Sequence, residues 1–266
     1  MNAFLHVSPS VLDKYQAWMD AENSWEDYYG DQETPSISIT DWEKKLEDEL
    51  VDACNGVETP SSRAADLGTC LNEAVDCVLL SEACQREDIK MWQTYVDGNK
   101  SLVIEKTPNT FMFHPDDVEA LATHVKGCTP QKMVSAYLST DYGVVQLYGY
   151  PDYFDSSRVI DLKTTSRYDY GKFRYKWQRY VYPYILDRNG LIPDYERFDF
   201  LVCKVTGDTK RNPFVELQLY YETYTDPLPP FEEKIRTFVE SFCSWFTRKH
   251  EAGIVNEKLL GNRLIQ

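Results

Sequence analysis

No apolar run in this 266-residue chain approaches the roughly 20 residues needed to span a bilayer, so a membrane-spanning segment is not expected. The opening MNAFLHVSPS lacks a basic stretch followed by an apolar one and reads as a chain without a secretory leader. The seven scattered cysteines contain no Cys-x-x-Cys pair, which argues against zinc ribbons and redox dithiols and makes reduced thiols in a cytoplasm the expectation. Neither a P-loop nor a G-x-G-x-x-G stretch occurs, so the chain brings no ATP motor of its own. The four histidines, His6, His114, His124 and His250, have neither metal nor triad spacing. Basic charge is also scarce: 28 Lys and Arg stand against 43 Asp and Glu, a net charge of −15. An acidic surface repels phosphates and argues against general nucleic-acid affinity.

What is present supports a folded protein. With 42% hydrophobic and 14% aromatic residues, the chain has enough apolar side chains to bury a core. The charge is unevenly spread. Residues 1–60 hold 14 acidic and 3 basic residues, whereas residues 158–188 hold 8 basic and 3 acidic ones. Cys70, Cys77 and Cys84 recur every seven residues on one helix face and read as small apolar residues of a buried stripe. Seven-residue helical steps are about 10 Å apart, too far for two of these thiols to share a metal.

Periodicity predicts helices over HVSPSVLDKYQAWM, with Ser8 or Ser10 as cap; over SITDWEKKLEDELVDAC, with Thr40 or Asp41 as cap; and over SSRAADLGTCLNEAVDCVLLSEA. WEDYYGDQETPS reads as a loop. Residues 85–131 give no clear pattern beyond a helix in HPDDVEALATHVKG. Alternating residues then predict strands at about 133–139, 143–150 and 157–163. A helix over KFRYKWQRYVYPYILDRNG follows, kinked or tightened at Pro183. Two strands, ERFDFLVCKVT and FVELQLYYETY, flank the turn GDTKRNP, and a long helix runs to Gly253. The order predicts one α/β domain of five strands, spanning 61–266 with an insert at about 85–131, and an acidic helical addition over residues 1–60.

Asp152 leaves the second of those strands and Asp161 lies late in the third, so antiparallel pairing can set them side by side. Two close carboxylates repel unless a cation sits between them, and oxygen-only ligands suit Mg²⁺ or Mn²⁺. Lys163, two residues on, shares the face of Asp161. Its ammonium beside a carboxylate-held metal can orient or deprotonate a water and stabilise a phosphorane-like charge, as metal-assisted phosphodiester hydrolysis requires. An Asp and a Lys at a strand end are ordinarily just solvated. Here an apolar strand, RVIDL, leads into them, Asp152 has the right hairpin offset, and Gln178 and Tyr182 follow on one helix face within the basic segment. KFRYKWQRY interleaves cations with aromatics, a surface suited to gripping a backbone and stacking bases, with Arg174 or Arg179 as the contact.

The pattern GYPD…VIDLKTT…QRYVY resembles the PD-(D/E)xK nuclease superfamily, in the branch holding RecB-type nuclease domains, CRISPR-associated iron–sulfur exonucleases and phage-recombination exonucleases of the exonuclease VIII (RecE-like) type. Gly149 to Asp152 match its G-x-x-D strand, Asp161 to Lys163 its (D/E)-x-K, and Gln178 to Tyr182 its Q-x-x-x-Y helix. VSPSVLDKY resembles the opening helix. The likeness covers residues 61–84 and 133–222. It implies a restriction-endonuclease-like core with a central mixed five-stranded sheet flanked by helices. Asp152, Asp161 and the carbonyl of Leu162 would be metal ligands, Lys163 the catalytic lysine, and Gln178 and Tyr182 would line the site. The family's upstream G-x-x-x-H departs here: Gly68 is present, but Asn72 stands where the metal-binding histidine would be, and Glu73 beside it is the alternative ligand. An iron–sulfur cluster is not expected, because Cys203 and Cys243 are too sparse for the C-terminal cysteine cluster of that subgroup.

The resemblance implies an Mg²⁺- or Mn²⁺-dependent exonuclease of phage or mobile-element recombination or repair, working on DNA in the cytoplasm of a bacterial or phage-infected cell. It also implies a recombination or single-strand-annealing partner and assembly into homo-oligomers. Two other readings compete: a nuclease-fold DNA-binding module whose chemistry is weakened by Asn72, and an acidic interaction protein or DNA mimic acting through its N-terminal segment.

Overall fold

The computed structural model describes residues 4–58, 60–209 and 212–260. The chain is α/β. It opens with strand β1 (Leu5–Val7), then helices α1 (Pro9–Met19), α2 (Ala21–Tyr29), α3 (Ile39–Asn55) and α4 (Arg63–Leu80). Strands β2 (Lys90–Val96), β3 (Asn99–Lys106) and β4 (Asn109–Phe113) lead into α5 (Pro115–His124) and β5 (Thr129–Pro130). Next come β6 (Val134–Thr140), β7 (Gly143–Gly149), β8 (Tyr153–Phe154), β9 (Arg158–Thr165) and α6 (Gln178–Arg188). The chain ends with β10 (Arg197–Gly207), β11 (Phe214–Tyr224), α7 (Pro229–Glu251) and a short 3₁₀ turn at Glu257–Leu259. No helix among the described residues is long and apolar enough to cross a membrane.

Among the described residues, the sheet that carries Asp161 and Lys163 has eight strands, in the order β2-β3-β4-β11-β10-β9-β8-β5, not five. It is mixed: β9 runs parallel to β10, and β4 parallel to β11, while the other pairs are antiparallel. The expected first and second strands do not form one meander with the third, β9. β6 and β7 instead form a separate three-stranded sheet with β1, which pairs parallel to β7. Residues 85–131 supply β2 to β4, α5 and β5, so the insert extends both edges of the main sheet, β2 to β4 beyond β11 and β5 beside β8.

Strand alternation on β9 and β10 divides the interior into two cores. Val159, Phe198, Phe200 and Val202 face α1, α3, α6 and α7, whereas Ile160, Leu162, Leu201 and Cys203 face α4 and α5. Leu12, Tyr15, Leu50 and Cys54 from the N-terminal helices share the first core with Val181, Ile185, Phe242 and Trp245. Helices α1 and α3 thus contribute side chains to the same core as α6 and α7.

Several boundaries move. Ser8, one of the two residues expected, takes the N-cap position of α1 without a side-chain cap bond, but Ser38 caps α3, its hydroxyl accepting from the Asp41 N–H at 3.1 Å. The segment read as a loop begins inside α2, which runs from Ala21 and stops at Gly30. The helix expected from Lys172 begins only at Gln178, the preceding residues forming turns, and it continues through Pro183. β10 and β11 form the expected antiparallel pair; Lys210 and Arg211 of their connection lie outside the described residues.

Candidate active site

Tyr153 pairs with Ile160 and Phe154 with Val159, so the next step of the β8–β9 ladder sets Asp152 beside Asp161. The ladder brings Asp152 close enough for its Oδ2 to accept the Leu162 N–H at 2.8 Å. Asp161 and Lys163 follow each other on one face of β9, and Lys163 Nζ lies 2.5 Å from Asp161 Oδ2. That contact is an ion pair without hydrogen-bond alignment, and Asp161 Oδ2 has no hydrogen-bond partner among the described residues. Lys163 Nζ donates instead to Gln178 Oε1 at 2.8 Å, which ties β9 to the first residue of α6.

These groups open into a cleft of about 430 Å³ whose other wall is α4. Ala64, Ala65, Gly68, Thr69 and Asn72 form that wall, with Leu162 and Thr164 on the strand side. Small residues here let the helix lie close to the strand: a β-carbon on Gly68 would sit 2.9 Å from Thr164 Oγ1. The helix is held in register by its ends. Ser62 caps it through the Ala65 N–H, and Asp66 in its first turn is buried against Lys106, Ser61 and Asn109.

The electrostatics follow from one ammonium serving two buried carboxylates. Burial raises the Asp152 pKa, and the neighbouring Asp161 raises it further. Burial raises Asp161 as well, against the pull of Lys163. For Lys163 burial works against the charge, but Asp161 and Asp152 outweigh it and hold its pKa above the usual lysine value. The site therefore lacks positive charge, presents carboxylate oxygens, and leaves one of them without a hydrogen bond. That donor set fits a hard divalent cation.

Asn72 reaches this site in a different role from the expected ligand. Its Nδ2 donates to Asp152 Oδ1 at 3.1 Å, while its Oδ1 accepts from the Tyr153 hydroxyl at 3.1 Å. The amide oxygen is thus engaged away from the carboxylates. Glu73 does not join Asp152; its carboxylate lies with the thiols of Cys77 and Cys84. Tyr182 is buried behind the cleft, packed on Gly149, and burial with the nearby Asp161 and Asp152 raises its pKa. The two arginines separate clearly. Arg179 is buried, ion-paired to Asp226, stacked 3.7 Å over the Tyr224 ring and donating to the Arg174 carbonyl at 3.0 Å. It is a packing residue rather than a free contact for nucleic acid. Arg174 is exposed, beside the exposed Tyr170, Lys172 and Tyr175.

Four residues not singled out by the sequence pattern support the site. Asp13 on α1 accepts the Trp177 N–H at 2.8 Å and pairs with Lys176 at 3.5 Å, fixing the start of α6; burial raises its pKa. Tyr153 orients Asn72, and Thr164 meets Gly68. Glu222, fully buried, accepts from the Gly171 N–H at 3.1 Å and the Tyr224 hydroxyl at 2.8 Å, anchoring the basic turn. Asp13 lies within VSPSVLDKY, so its neighbourhood was visible in the sequence; the other three carry no such signal.

No family model and no curated protein matches the sequence. Among solved structures, one described as "Crystal structure of SSO0001" is similar at a TM-score of 0.34 and 14% identity, over 48% of this chain and 55% of that one. The likeness spans about half the length of that chain.

Proposed function

We propose that this chain is a divalent-metal-dependent DNA nuclease with a PD-(D/E)xK-type, restriction-endonuclease-like core, an exonuclease of recombination or repair. The observation that carries the reading is the convergence of Asp152, Asp161, Lys163 and Gln178, from three separate elements, in one open cleft. Asp152, Asp161 and the Leu162 carbonyl would hold Mg²⁺ or Mn²⁺. A cation bound there would supply Lewis acidity toward the scissile phosphate and lower the pKa of an attacking water.

The chain's own groups do the positioning. Lys163, kept protonated by the two carboxylates and aimed by Gln178, offers an ammonium toward the cleft. There it orients water and offsets charge that grows on the phosphate oxygens. Asn72 holds Asp152 through its N–H. Arg174, with Lys172, Tyr170 and Tyr175, gives an exposed basic and aromatic surface that guides the strand. The acidic remainder of the molecule disfavours other modes of DNA approach.

A second reading, a DNA-binding module with weakened chemistry, draws on one observation: Asn72 offers the carboxylates an N–H donor where a further ligand would be needed. Digestion of end-labelled linear and closed circular DNA in Mg²⁺ or Mn²⁺ separates the readings. Metal-dependent loss of linear DNA alone supports the exonuclease, and cutting of the circle makes it an endonuclease. Binding without cleavage under either metal, unchanged by Lys163→Ala, supports the module.

A further inference from the structure

Five of the seven cysteines are buried; Cys77 and Cys84 are not. These two are also the pair that the fold brings together. α4 ends one turn after Cys77, where Ser81 takes a left-handed conformation with φ 54°. The Ser81 N–H bonds to the Val78 carbonyl at 3.3 Å and the Glu82 N–H to the Cys77 carbonyl at 3.1 Å, the paired bonds of a Schellman reversal. The chain doubles back, and Cys84 returns beside Cys77 instead of lying two further helical turns away. Glu73, one turn before Cys77 on the same helix, completes the group. One carboxylate oxygen and the two sulfurs all lie within 4.8 Å of one another.

We propose that Glu73, Cys77 and Cys84 form a binding site for a thiophilic divalent cation, with Zn²⁺ as its occupant. Zinc bonds of about 2.3 Å to sulfur and about 2.0–2.2 Å to carboxylate oxygen bring tetrahedral ligand atoms to within about 4 Å of one another, so a small inward movement closes the cage. Two thiolates with one carboxylate are softer than the oxygen donors of the Asp152–Asp161 cleft, so the two sites differ in metal preference. Each thiol gives its proton to solvent as its bond to the metal forms, with no change of oxidation state. The three anions and one divalent cation leave a single negative charge, and the Arg86 guanidinium stands in the same loop as Cys84, paired to Asp88.

Cys77 and Cys84 both line a depression of about 460 Å³, together with Val78, Met91, Trp92 and Val118. The site joins the end of α4 to the loop entering β2. It therefore clamps the helix whose Asn72 holds Asp152, one residue before Glu73.

The test uses the full chain, reduced and metal-free, titrated with Co²⁺ and then Zn²⁺. The expected result is a thiolate-to-cobalt charge-transfer absorption with tetrahedral visible bands, complete at one equivalent per chain and abolished by Zn²⁺. Cys77→Ser and Cys84→Ser each remove the charge-transfer absorption, Glu73→Gln weakens binding while keeping it, and Asp152→Asn leaves it unchanged. Should a cysteine variant fail to fold, alkylation of the native wild type decides the matter. Zn²⁺ is expected to protect Cys77 and Cys84, and no other thiol, from the reagent, as read by mass spectrometry. Absence of the charge-transfer absorption, its survival in both cysteine variants, Zn²⁺ that shields neither thiol, or a Cys77–Cys84 disulfide that forms regardless of metal would overturn the assignment.

Discussion

Gly149 and the Tyr182 ring touch so closely that a β-carbon on Gly149 would lie 2.7 Å from Tyr182 Cε1. Gly149 ends β7 just before Asp152, and Tyr182 lies one turn after Gln178, so this contact seats α6 against the strand that delivers the first carboxylate. A rigid ring at that distance cannot yield as a flexible chain end would. Gly149→Ala is expected to destabilise the protein by about 1–3 kcal/mol. Urea unfolding measures it; a change near zero would mean the helix shifts freely.

Tyr153, Asn72 and Asp152 form a hydrogen-bonded chain in which each donor has one acceptor. Tyr153→Phe leaves the Asn72 oxygen without a partner and is expected to cost about 1–3 kcal/mol. A double-mutant cycle with Asn72→Ala should give a coupling of about 0.5–3 kcal/mol. Additive effects would contradict the chain.

Arg174 and Arg179 should respond oppositely. Arg179→Ala removes a buried guanidinium, its ion pair to the half-exposed Asp226 and its stacked ring, and is expected to destabilise by about 2–3 kcal/mol. Arg174→Ala is expected to leave stability within about 0.5 kcal/mol. It should weaken DNA binding and reduce the log–log salt slope by about 0.9. Binding isotherms over a salt series, with thermal melts, test both.

Asp66 predicts the acid limb of stability. The Lys106 ammonium, with Ser61 and Asn109, holds its carboxyl down at about 2, below the ordinary 3.8. A carboxyl depressed by folding adds stability above its unfolded value, and that increment is lost as pH falls from 3.8 through about 2. Melting temperatures of the wild type and Asp66→Asn should differ most above that window and converge below it. A constant difference across the window would contradict the assignment.

The candidate site was legible where its residues are local in sequence. Asp161 and Lys163 alternate on one strand and Asp152 sits one hairpin away, so strand pairing brings them near, whereas Gln178 was pointed to by the family resemblance of its helix. α4, with its serine cap and apolar stripe, was legible for the same reason. Long-range partners were not. Nothing in the sequence assigns β1 to β7 or separates β6 and β7 from the main sheet. Strands β2 and β3 were missed although Asp97-Gly98, both with positive φ, marks their turn, because β2 is largely exposed and lacks an alternating apolar face. Arg179 looked like a surface cation because Asp226 and Tyr224 lie more than forty residues on. The separation assigned to Cys77 and Cys84 assumed a continuing helix, and Ser81 ends it.

The most direct measurement is single-turnover cleavage of end-labelled linear DNA in Mg²⁺ by the wild type and by Lys163→Ala, with thermal melts to show that both are folded. The account predicts metal-dependent cleavage by the wild type and a rate lower by about 10²- to 10³-fold in the variant. Equal cleavage by the two proteins, or none by the wild type in either Mg²⁺ or Mn²⁺, would contradict it.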